Sequence, residues 1–84
     1  MDAYEQIKRI KDQYADQLMS KANVVGVGIG FAEHGGVRTD EMALVVMVNR
    51  KLPPEALAPA DRIPKEIEGV LVDVQQVGDL HSLD

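Results

Sequence analysis

Alternating glycines are the feature of this sequence that most strongly invites a chemical interpretation. Gly26, Gly28 and Gly30 stand at every second position of residues 24–31. Glycine-rich turns bind nucleotide phosphates when they lead from a strand into a helix whose N-terminus meets the phosphate. The dinucleotide fingerprint is spaced G-x-G-x-x-G, so the third glycine here comes one position early, and the Gly-Lys-Ser/Thr ending of a P-loop is missing. We therefore predict a structural or interface role for the three glycines, and no cofactor.

Side chains suited to nucleophilic or metal chemistry are few. The chain has no cysteine, and its serine and threonine residues are Ser20, Thr39 and Ser82. None of the three stands in a nucleophile-elbow sequence. His34 and His81 are far apart, and neither has a second histidine at the helical spacing that many zinc sites use. The sequence therefore predicts no catalytic nucleophile and no metal site.

Asp73 is the carboxylate best placed for acid–base chemistry, because it interrupts a valine-rich segment. General acid–base catalysis needs such a group in a dry cleft. In one interpretation Asp73 lies in an enzymatic or small-ligand cleft beside residues 50–69, with Arg62 or Lys65 as further polar groups. In the other it lies on the exposed face of an edge strand. We favour the second interpretation and predict that the chain is not an enzyme.

Charge and hydropathy argue against several classes of partner. Nine Lys and Arg residues against fourteen Asp and Glu residues give a net charge of −5. Domains that bind nucleic acids or anionic membrane surfaces usually carry a basic surplus. The longest run of apolar residues and glycines, residues 24–32, is too short for a membrane span of about 20 residues, and no secretory signal opens the chain. We predict a cytoplasmic protein that binds neither nucleic acid nor membranes.

An amphipathic helix is predicted within residues 1–22. Asp2, followed by Glu5 three residues later, resembles a capping box at the start of residues 3–22. The apolar residues of this segment recur at intervals of three and four, which gives one apolar stripe: Tyr4, Ile7, Ile10, Tyr14, Leu18 and Ala22. Asn23 is suited to closing the helix at its C-terminus.

Three strands are predicted in the sheet region, residues 23–78. Residues 24–31 alternate glycine with Val, Ile and Phe, which leaves one face of the first strand bare of side chains. A helix or another backbone should therefore approach that face closely, or the strand should bend. Residues 41–49 are apolar on both faces, whereas residues 70–77 alternate valine with polar residues and predict a half-exposed strand.

The connections between these strands carry turn residues. Gly35-Gly36 suits a hairpin turn between the first two strands, and four prolines limit residues 50–69 to short helical turns. Residues 79–84 are predicted to be a frayed tail. The whole chain, residues 1–84, is thus predicted to be one α+β domain, an N-terminal helix on a three-stranded, mostly antiparallel sheet. This is a ferredoxin-like unit that lacks its first strand.

One helix can cover only one of the two apolar faces of the second strand, and a large exposed apolar face is unusual for a soluble monomer. We therefore predict a protein–protein contact, with a homodimer or another protein as the partner. The predicted interface consists of Gly26, Gly28, Gly30, Val45 and Met47.

A resemblance to a known group spans residues 21–79. The chain resembles the N-terminal accessory segment that precedes the protease domain in bacterial trypsin-like serine peptidases. The positions that carry the resemblance are residues 23–30, 43–48, 51–53, 61–64 and 67–70, with Asp73-Val74. No position matches the Ser/His/Asp triad of those enzymes. The resemblance therefore implies an accessory domain without the protease, or alternatively a pro-segment or inhibitor-like domain that docks on a peptidase.

Overall fold

The computed structural model describes residues 2–78, which form one long helix and four strands. The predicted tail, residues 79–84, lies outside the described residues. In chain order the elements are the helix α1 (Ala3–Met19), the strands β1 (Val24–His34) and β2 (Val37–Val48), two 3₁₀ turns (Pro54–Ala56 and Pro59–Asp61), and the strands β3 (Glu66–Ile67) and β4 (Val70–Gln76).

Helix α1 begins as the sequence predicts and ends earlier. The Asp2 side chain accepts a hydrogen bond from the backbone N–H of Glu5 at 2.8 Å, which caps the first turn. The helix ends at Met19 rather than at residue 22, because the backbone N–H of Lys21 donates to the carbonyl oxygen of Leu18, three residues back, and Asn23 takes a positive φ of 69°. No helix within residues 2–78 is long and apolar enough to cross a membrane.

The four strands form one mixed sheet in the order β1-β2-β4-β3. β1 pairs with β2 and β3 with β4 in antiparallel fashion, while β2 and β4 run parallel. The predicted α+β class, a helix packed on a sheet, is confirmed. The added strand is the two-residue β3, where a helical turn was expected. Glu68 and Gly69, with φ of 49° and 82°, reverse the chain so tightly that β3 pairs with β4.

The hydrophobic core lies between α1 and one face of the sheet. Ile7, Ile10 and Leu18 of the predicted stripe are buried there, whereas Tyr4 remains 50% exposed and Ala22 lies beyond the helix on the surface. The strand residues in the same buried cluster are Leu44, Val46, Val48, Val70 and Val72. We call this side of the sheet the helix face.

The proline-rich connection is held against the end of the helix by polar contacts. Lys21 Nζ donates to the carbonyl oxygen of Ala60 at 2.7 Å, and Asp61 Oδ1 accepts from the backbone N–H of Ala22 at 3.0 Å. Arg62 Nε donates to the carbonyl oxygen of Pro54 at 2.8 Å and so joins the two 3₁₀ turns. These contacts let a segment with little secondary structure link the parallel strands β2 and β4.

Candidate functional site

The five predicted interface residues lie together on the side of the sheet that faces away from α1. Gly26 pairs with Met47 and Gly28 pairs with Val45 in the antiparallel register of β1 and β2. Gly30 continues the same alternation, and paired residues share a face. We call the surface formed by Gly26, Gly28, Gly30, Val45 and Met47 the glycine face. That this face contacts another protein stays a prediction.

The three glycines make room for side chains of the neighbouring strand. A Cβ atom added at Gly26 would lie 2.9 Å from Met47 Cε, and one added at Gly30 would lie 3.2 Å from Val45 Cγ2. None of the three has a positive φ, so their backbone conformation does not require glycine. The close approach predicted for this face therefore comes from β2 side chains, and not from a helix or another backbone.

Gly28 differs from the other two glycines. The nearest atom to a Cβ added there would be Met47 Cε at 3.8 Å, which is an ordinary van der Waals distance. A small side chain at residue 28 would fit the domain, yet the protein leaves this space empty. The room at Gly28 is therefore not required by packing within the domain.

The middle of β2 is more covered on the glycine face than the sequence predicts. Ala43 is 0% exposed and Val45 is 7% exposed, while Met47 is half-buried. The expectation of a broad uncovered apolar face was therefore wrong at Val45, which forms the floor of the surface. Glycine on β1 leaves room for the Met47 side chain beside Gly26 and for the Val45 side chain beside Gly30.

At the end of the glycine face nearest the β1–β2 hairpin, two side chains of β4 form hydrogen bonds with the backbone of β1, and we call these contacts the polar bridge. The backbone N–H of Glu33 donates to Asp73 Oδ2 at 3.0 Å, and Gln75 Nε2 donates to the carbonyl oxygen of Phe31 at 3.0 Å and to Asp73 Oδ2 at 2.9 Å. The register of β1 against β2 shifts between Phe31 and Glu33, and such bulges leave backbone groups without ladder partners. Asp73 and Gln75 supply those partners across β2, which lies between β1 and β4.

This bridge gives Asp73 a structural contact that neither interpretation of its role included. β3 pairs with β4 only at Val70 and Leu71, so Asp73 lies on the part of β4 that, in the described portion of the chain, has no paired strand on its outer side, and its side chain is half-buried. The carboxylate accepts two hydrogen bonds that hold the sheet together, while Arg62 and Lys65 lie in the connection, Arg62 bonded to Pro54. Within residues 2–78 no hydrogen bond or ion pair joins Asp73 to the side chain of Arg62 or Lys65.

A shallow cleft of about 320 Å³ lies over the glycine face. Its apolar floor includes Gly28, Gly30, Val45 and Met47, and the remaining lining residues are Ile29, Phe31, Glu33, Arg38 and Gln75. A second, open depression follows the first turns of α1, from Asp2 to Asp12. Neither is lined by residues 50–69, where the alternative prediction placed a ligand cleft.

Two charges stand at the hairpin end of the cleft. Glu33 and Arg38 are cross-strand neighbours in the β1–β2 register. The Arg38 guanidinium lies over the Phe31 ring, 4.7 Å from its centroid, a favourable cation–π geometry. Among residues 2–78 the one ion pair is Lys8–Asp12, so neither Glu33 nor Arg38 is neutralised by a partner in that range. Sequence reasoning did not single out this pair, although its symmetric placement around Gly35-Gly36 signals cross-strand neighbours.

Tyr14 forms a polar contact on the opposite side of the sheet. Its hydroxyl donates to Glu68 Oε2 at 2.8 Å and ties α1 to the turn between β3 and β4. That hydrogen bond, with desolvation and the negative charge of Glu68, raises the pKa of Tyr14 above its ordinary value. The phenol is therefore kept protonated as a donor, which suits a structural contact.

The hydroxyls of Ser20 and Thr39 make structural hydrogen bonds. Ser20 Oγ donates to the carbonyl oxygen of Gln17, and Thr39 Oγ1 donates to that of Ala32. His34 ends β1 on the surface, whereas His81 and Ser82 lie outside the described residues. Over residues 2–78 no group of three or more His, Cys, Asp or Glu side chains is arranged to hold a metal ion.

Comparison with known families corrects the resemblance drawn from the sequence. A family model described as the NARROW LEAF 1 N-terminal domain matches residues 6–77. No curated protein matches the chain significantly. The resemblance to the accessory segment of bacterial trypsin-like serine peptidases was therefore wrong, since the matching domain is that of a plant protein. The resemblance rested on an alternating Val/Gly segment and on short motifs that contain proline. These patterns are not specific enough to distinguish the two families.

Proposed function

This chain belongs to the NARROW LEAF 1 N-terminal domain family, and we propose that it is a non-catalytic domain that binds another protein through its glycine face. The observation that carries the proposal is the unfilled space at Gly28, above a floor formed by Val45 and Met47. A strand interior loses stability when a residue with a side chain is replaced by glycine. Space kept open at that cost is explained most simply by a contact outside the domain.

The non-catalytic part of the proposal is supported by what the polar side chains do. Asp73 holds the bulge of β1, Arg62 joins the 3₁₀ turns, and the hydroxyls of Ser20 and Thr39 bond to nearby carbonyl oxygens. Catalytic groups need a free reacting atom that faces a cleft. These side chains instead saturate backbone groups of their own domain.

The protein-binding part is supported by the make-up of the cleft. Protein interfaces commonly combine an apolar centre with a polar rim, and arginine is enriched in them. Here Gly28, Val45 and Met47 form the centre, while Glu33 and Arg38 stand at one end. The cleft is shallow and open, which suits a protein surface better than an enclosed small molecule.

Substitution of Gly28 tests the proposal. Gly28→Ala and Gly28→Val fill the space above Met47 without a clash below 3.8 Å at Cβ, and both residues favour strands more than glycine does. We expect both variants to fold with unchanged or slightly raised melting temperature, and Gly28→Val to reduce association at least about tenfold, a change of about 1.4 kcal/mol. Gly78→Val is the matched control, because nothing lies within 4 Å of a Cβ added there.

The measurement compares what each immobilised chain retains from a cell extract and from a solution of the chain itself, with circular dichroism as the check of folding. Proteins retained by the wild type and by Gly78→Val, but lost with Gly28→Val, would support the proposal. Equal retention by all three chains would show that the glycine face is not the contact surface.

A further inference from the structure

We propose that the partner seated on the glycine face is a second copy of this chain, related by a two-fold axis that runs along the strands. The inference rests on the proposed function and names its partner. In this arrangement the two clefts face each other, and the two hairpin ends lie side by side. The surface of each copy then meets the same surface of the other, as in most symmetric dimers.

Charge complementarity at the hairpin end is the first argument. Glu33 and Arg38 have opposite charges, lie at the same end of the cleft, and are outside the one ion pair found in residues 2–78. An axis along the strands that passes midway between β1 and β2 places Arg38 opposite the partner's Glu33, and Glu33 opposite the partner's Arg38. One cation and one anion per copy thus form two equivalent ion pairs, whereas a surface with one sign of charge would repel its own copy.

The shape of the surface is the second argument. Facing sheets ordinarily pack about 10 Å apart because side chains fill the space between them. At Gly28 the side chain is absent and the nearest atom to a Cβ added there would be 3.8 Å away, so a second sheet can approach β1 more closely at this point than usual. Met47 supplies a flexible, unbranched side chain beside this point, and methionine adapts readily to an irregular opposing surface.

Reversal of the two charges tests this arrangement directly. Arg38→Glu places two negative charges opposite each other at both contacts of a symmetric dimer, and Glu33→Arg places two positive charges there. Each variant alone should therefore dimerise at least about tenfold more weakly than the wild type. A mixture of the two restores both attractive pairs, so we expect the mixed dimer to form with near wild-type affinity.

Sedimentation velocity of the purified chains, over roughly a hundredfold range of concentration that reaches the millimolar level, gives the dissociation constants. Arg38→Ala is the control for the lost contact with Phe31, and its effect should be smaller than that of Arg38→Glu. Circular dichroism confirms that each chain is folded. Concentration-dependent wild-type dimers, weakened by each reversal and recovered in the mixture, would establish the arrangement.

Two results would overturn it. A wild-type chain that stays monomeric at the highest concentration excludes the second copy as the partner. Dimers that neither charge reversal weakens place the interface elsewhere, for example along the free edge of β1. In both cases the extract experiment with Gly28→Val still decides separately whether the glycine face binds a different protein.

Discussion

The apolar side chains of β2 are shielded from solvent in different ways on the two faces of the sheet. On the helix face, Leu44 and Val46 are covered by a second layer, the helix α1. On the glycine face, Val45 is 7% exposed although α1 packs on the other side of the sheet, and its side chain lies beside Gly30. A strand that is apolar on both sides therefore does not require a layer on each side, provided that its neighbour lacks side chains.

Because the two faces are shielded differently, different interactions contribute to the free energy of unfolding on each face. The helix face depends on the removal of aliphatic side chains from water, which contributes roughly 1.5–3 kcal/mol for each fully buried residue. The glycine face has less apolar surface to bury and depends on the bridge from Asp73 and Gln75 to the bulge of β1. Three experiments, in order of decreasing expected effect, test this contrast.

Truncation of a helix-face residue should give the largest effect. Ile10 is 0% exposed, so Ile10→Ala should lower the free energy of unfolding by about 2–5 kcal/mol through lost burial and a new cavity. Met47→Ala is the matched truncation on the glycine face, where the side chain is half-buried, and it should cost less than half as much. Urea unfolding monitored by circular dichroism measures both, and equal costs would contradict the contrast.

Removal of the bridge should give the next effect. Asp73→Ala removes the acceptor of the exposed hydrogen bond from the backbone N–H of Glu33. We expect a loss of about 0.5–1.5 kcal/mol, the usual net contribution of one intramolecular hydrogen bond. Asp73→Asn keeps an oxygen acceptor and should lose less. Hydrogen exchange at the Glu33 amide should accelerate in Asp73→Ala. Unchanged exchange would show that the bridge does not hold the bulge.

Removal of the hydrogen bond between Tyr14 and Glu68 should change the free energy of unfolding least. Its effect should be recognisable mainly by its dependence on pH. The pKa of Tyr14 is raised above 10.0 in the folded chain, so its stabilising contribution is fully present below about pH 10 and is lost as pH rises through the folded pKa. The stability difference between the wild type and Tyr14→Phe should therefore shrink at alkaline pH. A difference that grows in alkali would contradict the direction of the shift.

The elements that depend on local patterns were predictable from the sequence. The periodicity of Ile7, Ile10 and Leu18 predicted both the helix and its buried face, and Asp2 predicted its cap, because these interactions join residues three or four positions apart. The predicted helix end at residue 22 was wrong, since residues 21–24 form a turn in which Asn23 has a positive φ. That the five predicted interface residues share one face of the sheet could also be predicted, because it follows from the alternation of side chains along each strand.

What the sequence alone determined is the class of the fold, the apolar stripe of α1 and the two-sided apolar character of β2, because each is written in the spacing of neighbouring residues. Only the tertiary structure decided that β2 and β4 run parallel and that Met47 lies over Gly26. It also showed that Asp73 serves the backbone of Glu33. These contacts join residues far apart in the chain, so their geometry depends on the order and register of the strands, which local spacing does not encode.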